Sequence, residues 1–159
     1  MSGAFRVVII RHAEKPAAKG NIHLSPAGRK RAAMLAKKIP KRYRDIVALF
    51  ATKKSKGSNR PIETITPLSQ ALALPINDEF AQTKWTSLAT YILARRALYA
   101  GNTVFVSWHH ESIPKLIADL GVVPEIAKIP EDVYDRIWQI HFPGTGAPKL
   151  KIKDQPKVG

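Results

Sequence analysis

The chain has 159 residues, a length that allows one ordinary domain with a real hydrophobic core. Apolar residues make up 45% and charged residues 24%, which excludes a disordered composition, and the lack of cysteine excludes disulfides, thiolate metal sites and a cysteine nucleophile. Twenty-six Lys and Arg stand against twelve Asp and Glu, and the resulting charge of +14 attracts anions, nucleic acid among them.

No apolar run approaches the ~20 residues needed to span a bilayer. The opening MSGAFRVVIIRHAEKP reads as a buried strand and not as a signal peptide, so a cytoplasmic protein is expected. No repeat or linker divides the chain, and residues 1–159 are expected to form a single domain. The first strand is Phe5 to Ile10, a β-branched run suited to burial on both faces. A polar segment, Arg11 to Leu24, follows it. Ser25-Pro26-Ala27-Gly28 then reads as a helix start, with a serine cap and proline at the first position. Gly28, Ala32, Leu35, Ala36 and Ile39 form the apolar face of this helix, and Pro40 is expected to stop it. Eight basic residues lie between Arg29 and Arg44.

Asp45 to Ala51 is the second predicted strand, and Thr52 to Asn59 a basic loop. Pro61 to Leu72 is predicted helical, with Pro67 expected to kink or interrupt it. Thr83 to Ala100 is predicted to be one helix with Trp85, Leu88, Ala89, Ile92, Leu93 and Ala97 along its stripe. Thr103 to Trp108 is the third strand, Ile113 to Leu120 a short helix, and Tyr134 to Phe142 the fourth strand. Residues 143–159 are rich in Gly, Pro and Lys and are expected to form a flexible tail. Strands alternating with helices predict an α/β domain with a mostly parallel sheet.

The informative unit is Arg11-His12-Ala13-Glu14-Lys15-Pro16, directly after the first strand. In open α/β sheets, ligands gather at the carboxyl ends of strands. An arginine there supplies fixed charge and paired hydrogen bonds to a phosphoryl group. An imidazole there can attack phosphorus and form a covalent intermediate. Other motif matches fail on context. His12-Ala13-Glu14 fits the H-x-E of zinc deaminases, but the required cysteines are missing. Gly144-Thr145-Gly146 precedes Pro148 and a lysine-rich stretch instead of a helix.

Ile9-Ile10-Arg11-His12-Ala13-Glu14 resembles the first motif of the histidine phosphatase superfamily, which includes the phosphoglycerate-mutase-like phosphatases. Leu24-Ser25-Pro26-Ala27-Gly28 resembles the family's L-S/T-x-x-G helix start. Ser58-Asn59-Arg60-Pro61-Ile62-Glu63-Thr64 is similar to its S-x-R-x-x-x-T segment. Thr103 to Trp108 with His109-His110 resembles the strand that delivers a second histidine, and residues 130–138 are similar to a late segment of short bacterial members. The matches run in family order from Phe5 to about Phe142.

The resemblance implies a three-layer α/β/α phosphoglycerate-mutase-like fold and a phosphatase working through phosphohistidine. His12 would be the nucleophile, Arg11 and Arg60 would hold the phosphoryl oxygens, and a second histidine would add a donor. Asn21 is a further candidate for substrate contact, and Trp108, at the strand end, either lines the site as a substrate contact or belongs to the core. No metal and no cofactor is implied. A phosphorylated small molecule or a phosphoprotein is the expected partner, with no membrane; nucleic acid is the less favoured partner. The general acid is not evident. Glu79 and Glu111 are candidates, and without an acid the favoured substrates carry good leaving groups, such as phosphoramidates or acyl phosphates. His109 fits an H-x-x-x-I spacing, whereas His110 fits W-x-H-x-x-I-P. The second form matches more residue types and sets Glu111 beside the imidazole, so His110 is favoured, with His109 packing or lining the rim. The alternatives are a catalytically weak domain of the same fold that binds phosphorylated ligands, or a basic nucleic-acid-binding module.

Overall fold

A computed structural model describes residues 3–159. Its centre is β1 (Phe5–Arg11), in which every residue but Arg6 is buried. Successive side chains of a strand point to opposite faces. Val7 and Ile9 therefore enter one apolar cluster and Val8 and Ile10 another, which is why the run is apolar throughout and not alternating.

β2 (Ile46–Ala51), β3 (Ile76–Asn77) and β4 (Thr103–Trp108) complete a parallel set with β1, and β5 (Arg136–Phe142) and β6 (Lys149–Asp154) run antiparallel to their neighbours. The order across the six-stranded sheet is β3-β2-β4-β1-β5-β6. One face is covered by α1 (Pro26–Arg42) and α2 (Arg60–Leu72), through Leu35, Ile39, Ile65 and Leu68. The other is covered by α3 (Trp85–Ala94) and α5 (Ile113–Asp119), through Leu88, Ile92, Leu116 and Ile117. The short α4 (Arg96–Tyr99) follows α3. This is the expected three-layer α/β/α architecture. Among the described residues, no helix is long and apolar enough to cross a membrane.

Several elements differ from expectation. α1 runs through Pro40, which sits in its last turn, and Tyr43 N still donates to the Ile39 carbonyl at 2.8 Å. α2 is continuous through Pro67, because Ile65 and Leu68 on either side are fully buried against the sheet. The predicted 83–100 helix is broken at Arg95, whose φ of −110° and ψ of 15° are not helical. The guanidinium of Arg95 lies over the Tyr91 ring at 3.4 Å.

The largest correction concerns residues 143–159. They do not fray as a whole: β6 pairs with β5 along its length. Beyond it, the buried Gln155 side chain donates to the carbonyls of Tyr134 and Arg136, both at 3.1 Å, and accepts from Arg31 at 3.0 Å. The signal was the two-residue alternation of Lys149-Leu150-Lys151-Ile152-Lys153, which composition alone conceals. Gln155→Ala removes the side-chain bonds to two carbonyls and to Arg31 Nη1. It should lower stability by about 1–3 kcal/mol in urea denaturation, whereas Lys151→Ala, at an exposed position, should change it by no more than about 0.5 kcal/mol.

Candidate active site

The site is assembled where β1 and β4 end side by side, with Arg11 in register with Trp108. The His12 amide donates to the Trp108 carbonyl at 3.0 Å, so the pairing continues one residue past the strand. The His12 ring is 3% exposed. Its Nδ1 lies 2.7 Å from the Ala13 carbonyl oxygen. A carbonyl only accepts, so Nδ1 carries the proton and Nε2 keeps its lone pair in the neutral ring.

The Ala13 backbone is itself held on its other side. Its amide donates to Thr64 Oγ1 at 2.8 Å, and that hydroxyl donates to the Arg60 carbonyl at 2.7 Å. The helix start after Leu24 closes on the same loop. Ser25 donates to the Glu14 carbonyl through its amide (2.9 Å) and its hydroxyl (3.1 Å), and its Oγ accepts from Gly28 N at 3.0 Å. A Cβ on Gly28 would stand 2.4 Å from the Glu14 carbonyl oxygen, so this close approach requires glycine. The Glu14 carboxylate is taken up by two 2.9 Å bonds from Arg31.

Two arginines flank His12. Arg11 is 1% exposed, and its Nη1 donates to the carbonyls of Glu131 and Val133. Its guanidinium lies over the Tyr134 ring at 3.8 Å, and that ring is 6.2 Å from His12. Burial lowers the pKa of Arg11, and Tyr134 and nearby carboxylates oppose the shift. Arg60 opens α2. Its Nη1 donates to the Asn21 carbonyl at 2.7 Å and its Nη2 to the Gly57 carbonyl at 3.4 Å. The Nε atoms of both arginines are buried without a partner, which leaves donors for a ligand.

The two histidines after β4 are separated by the structure. His109 is 8% exposed, and its ring stands edge-on to His12 with centroids 5.3 Å apart. The His110 Nδ1 is buried without a hydrogen-bond partner, 3.6 Å from Glu111 Oε1. The ring that contacts His12 is thus that of His109, where the sequence pattern favours His110. Burial pushes His12 down to about 3, helped by the positive fields of His109, Arg11 and Arg60. Burial pushes His109 down to about 4, with Arg60 the next cause. Burial and Arg11 also lower His110, against the opposing pull of Glu111 and Glu131. His12 and His109 are thus neutral at pH 7.

The remaining candidates are distributed as follows. Trp108 is fully buried in the apolar cluster, with Nε1 donating to Ser112 Oγ at 3.0 Å, so the expectation that it contacts substrate is corrected. Asn21 supports Arg60 through its carbonyl, while its Oδ1 accepts from His23 N at 2.9 Å. Glu111 is 62% exposed and lines a cleft of about 630 Å³ with Lys15, His110, Lys128 and Glu131. Lys15 also borders a second cleft of about 340 Å³ that reaches Asn21 and Arg60. The Glu131 carboxyl is held below its usual range by Lys15, 2.9 Å away. Glu79 lines a separate cleft with Phe50 and Tyr91. The sequence reading assigned no role to Thr64 or Tyr134. Both lie inside quoted motifs, but only the contacts show what they hold.

No protein-family model and no curated protein matches the chain. Solved structures do. The protein histidine phosphatase SixA complexed with tungstate is 17% identical with a TM-score of 0.67, over 94% of this chain and 96% of that one. A mycobacterial glucosyl-3-phosphoglycerate phosphatase complexed with inorganic phosphate is 14% identical with a TM-score of 0.65, over 94% and 96%. A mutant phosphoserine phosphatase from Entamoeba histolytica in complex with phosphoserine is 13% identical with a TM-score of 0.64, over 92% and 94%. The fold is phosphoglycerate-mutase-like, shared along nearly the whole length of these proteins.

Two outcomes follow from the buried imidazoles and their clamp. In the unfolded chain both histidines titrate near 6.5; folded, they titrate at about 3 and 4. Between those values the unfolded state binds more protons, so stability is full above pH 6.5 and falls as pH drops toward 4. Denaturation at pH 7 and 5 should show this loss, and His12→Gln should shrink it. Thr64→Val removes the partner of the buried Ala13 amide and should cost about 1–3 kcal/mol by the same measurement.

Proposed function

We propose that the protein is a phosphohydrolase that works through a phosphohistidine at His12. The observation that carries this reading is the state of that ring: Nδ1 is held by the Ala13 carbonyl, and Nε2 is unprotonated between two partly unpaired arginines. Proteins of the same fold hold tungstate, inorganic phosphate and phosphoserine, each a tetrahedral oxyanion or its ester, which supports an oxyanion here.

In the first step the Nε2 lone pair forms a bond to phosphorus, and the bond from phosphorus to the leaving group breaks with its electron pair going to that group. Arg11, Arg60 and a proton on His109 face the equatorial oxygens, where charge spreads in the transition state. The Ala13 carbonyl steadies the positive charge that develops on the imidazole. In the second step water attacks phosphorus, the P–N bond breaks, and phosphate leaves with the ring neutral again. Glu111 lines the cleft that His110 and Lys15 also border, which supports it as the candidate proton donor to the leaving group. Because it is largely exposed, substrates that need little protonation fit best: phosphoramidates such as phosphohistidine, and acyl phosphates. The clefts on either side of Lys15 leave room for a phosphorylated small molecule or for a phosphoprotein segment.

His12→Ala should abolish turnover and the alkali-stable phosphoenzyme seen by phosphorus NMR after alkaline quench. His109→Ala or Arg60→Ala should lower kcat by about 10²–10³, and His110→Ala by only a small factor. Wild-type turnover in His12→Ala would overturn the assignment. A larger loss in His110→Ala than in His109→Ala would exchange the roles of the two rings.

A further inference from the structure

The sheet register places a row of cations where the sequence alone does not. In the β5–β6 pair, Ile137 is opposite Lys153, Gln139 opposite Lys151 and His141 opposite Lys149. Paired residues share a face. Ile137 belongs to the cluster under α1 and α2, and Gln139 Oε1 accepts from Tyr43 at the end of α1. Lys149, Lys151 and Lys153 therefore stand on the α1 side of the sheet, all exposed, about 6.7 Å apart along the strand. The other side of β6 carries Leu150, Ile152 and Asp154.

α1 continues this row. Lys38 and Arg42, one turn apart, donate to the carbonyls of Lys157 and Asp154 at 2.6 and 2.9 Å, which fixes the helix beside the end of β6. Lys37 and Lys41 are exposed on the same helix, which contains no acidic residue. Among the described residues, no ion pair neutralises any of these cations. The acids that do form ion pairs are spent elsewhere, Glu14 on Arg31 and Asp45 on Arg6.

We propose that the α1–β6 face binds the phosphate backbone of double-stranded DNA without regard to sequence. Evenly spaced, unpaired cations match a regular row of phosphodiesters and release its counterions. Single strands are bound by stacking on exposed aromatic rings, and no aromatic is among the exposed large apolar side chains. Duplex RNA offers the same phosphates and adds 2′-hydroxyls, so a 20-base-pair RNA duplex is the competing ligand in the test below, and tighter binding of it than of the DNA duplex would overturn the choice of DNA. A membrane surface is favoured by a band of apolar side chains that insert beside the cations; here Ile152 lies on the opposite face of β6, and Val158 alone stands exposed beside Lys37 and Lys38. This proposal does not rest on the phosphohydrolase reading.

The test uses a fluorescein-labelled 20-base-pair DNA duplex, with binding to the full chain followed by anisotropy across a salt series. Wild type should bind with a steep loss as salt rises. The triple variant Lys149→Gln/Lys151→Gln/Lys153→Gln should reduce the log–log salt slope by about 2–3 and weaken binding more than tenfold near 0.1 M salt, since each lost phosphate contact lowers the slope by about 0.9. Its hydrolysis of a small aryl phosphate and its urea midpoint should match wild type. Tungstate should not displace the duplex. An unchanged slope in the triple variant, displacement by tungstate, or tighter binding to the RNA duplex, to phosphatidylserine vesicles or to single strands than to the DNA duplex would each overturn the proposal.

Discussion

The backbone of Ala13 is the point on which the site depends. Its carbonyl orients the His12 ring and fixes its tautomer, and its amide is held by Thr64 from α2. The amide and the carbonyl belong to the two peptide planes that meet at the Ala13 Cα, so Thr64 holds the plane before Ala13 while the plane after it orients the ring. The same α2 residue reaches back to the Arg60 carbonyl, which ties the imidazole and the second arginine to one short piece of helix. Ser107 at the end of β4 adds a third tie, donating to the Pro61 carbonyl at 2.9 Å. Strand ends and helix start are thus joined by hydrogen bonds that water does not reach, where each is worth more than at the surface.

Burial then sets the chemistry of the groups so held. Two imidazoles and two guanidiniums crowd a small volume, and protonating either ring there would add charge to a poorly solvated cationic site. The rings stay neutral, and the arginines carry the charge. An incoming oxyanion reverses the sign of that field. It supplies the countercharge that the unpaired Nε atoms lack, and it makes a positive imidazole acceptable. On the proposed reading, a phosphoryl ligand would supply that countercharge.

The chain end supports this from a distance. Gln155 holds the carbonyls of Tyr134 and Arg136 and the Arg31 side chain that grips Glu14. Tyr134 in turn underlies Arg11, and the Glu131 and Val133 carbonyls hold its Nη1. A strand that touches neither histidine thus helps to place both the loop after β1 and the segment that lines Arg11. The lysines of that strand, exposed on its α1 side, give the basic charge of the chain a defined direction.

Much of this was legible in the residues themselves. The apolar run of β1, the serine and glycine at the start of α1, and the Arg11-His12 and Arg60 positions act locally or over short spans, and the side-chain pattern determines them. The glycine at position 28 is dictated by a contact with Glu14, yet its motif already marked it. What the sequence left open has a common cause: it depends on which distant groups share space. Pattern matching favoured His110, but the divergence of two neighbours at the end of β4 assigns His109 to the buried side. Trp108 looked available at a strand end and is sealed in the core by α5. Lysine-rich composition made the last residues look frayed. Pairing with β5, and burial of Gln155 against backbone carbonyls more than nineteen positions away in the case of Tyr134, makes them structure. Composition and local spacing determined the elements and most of the candidate site; only packing between remote segments decided which side chains meet at His12 and which are spent on holding others.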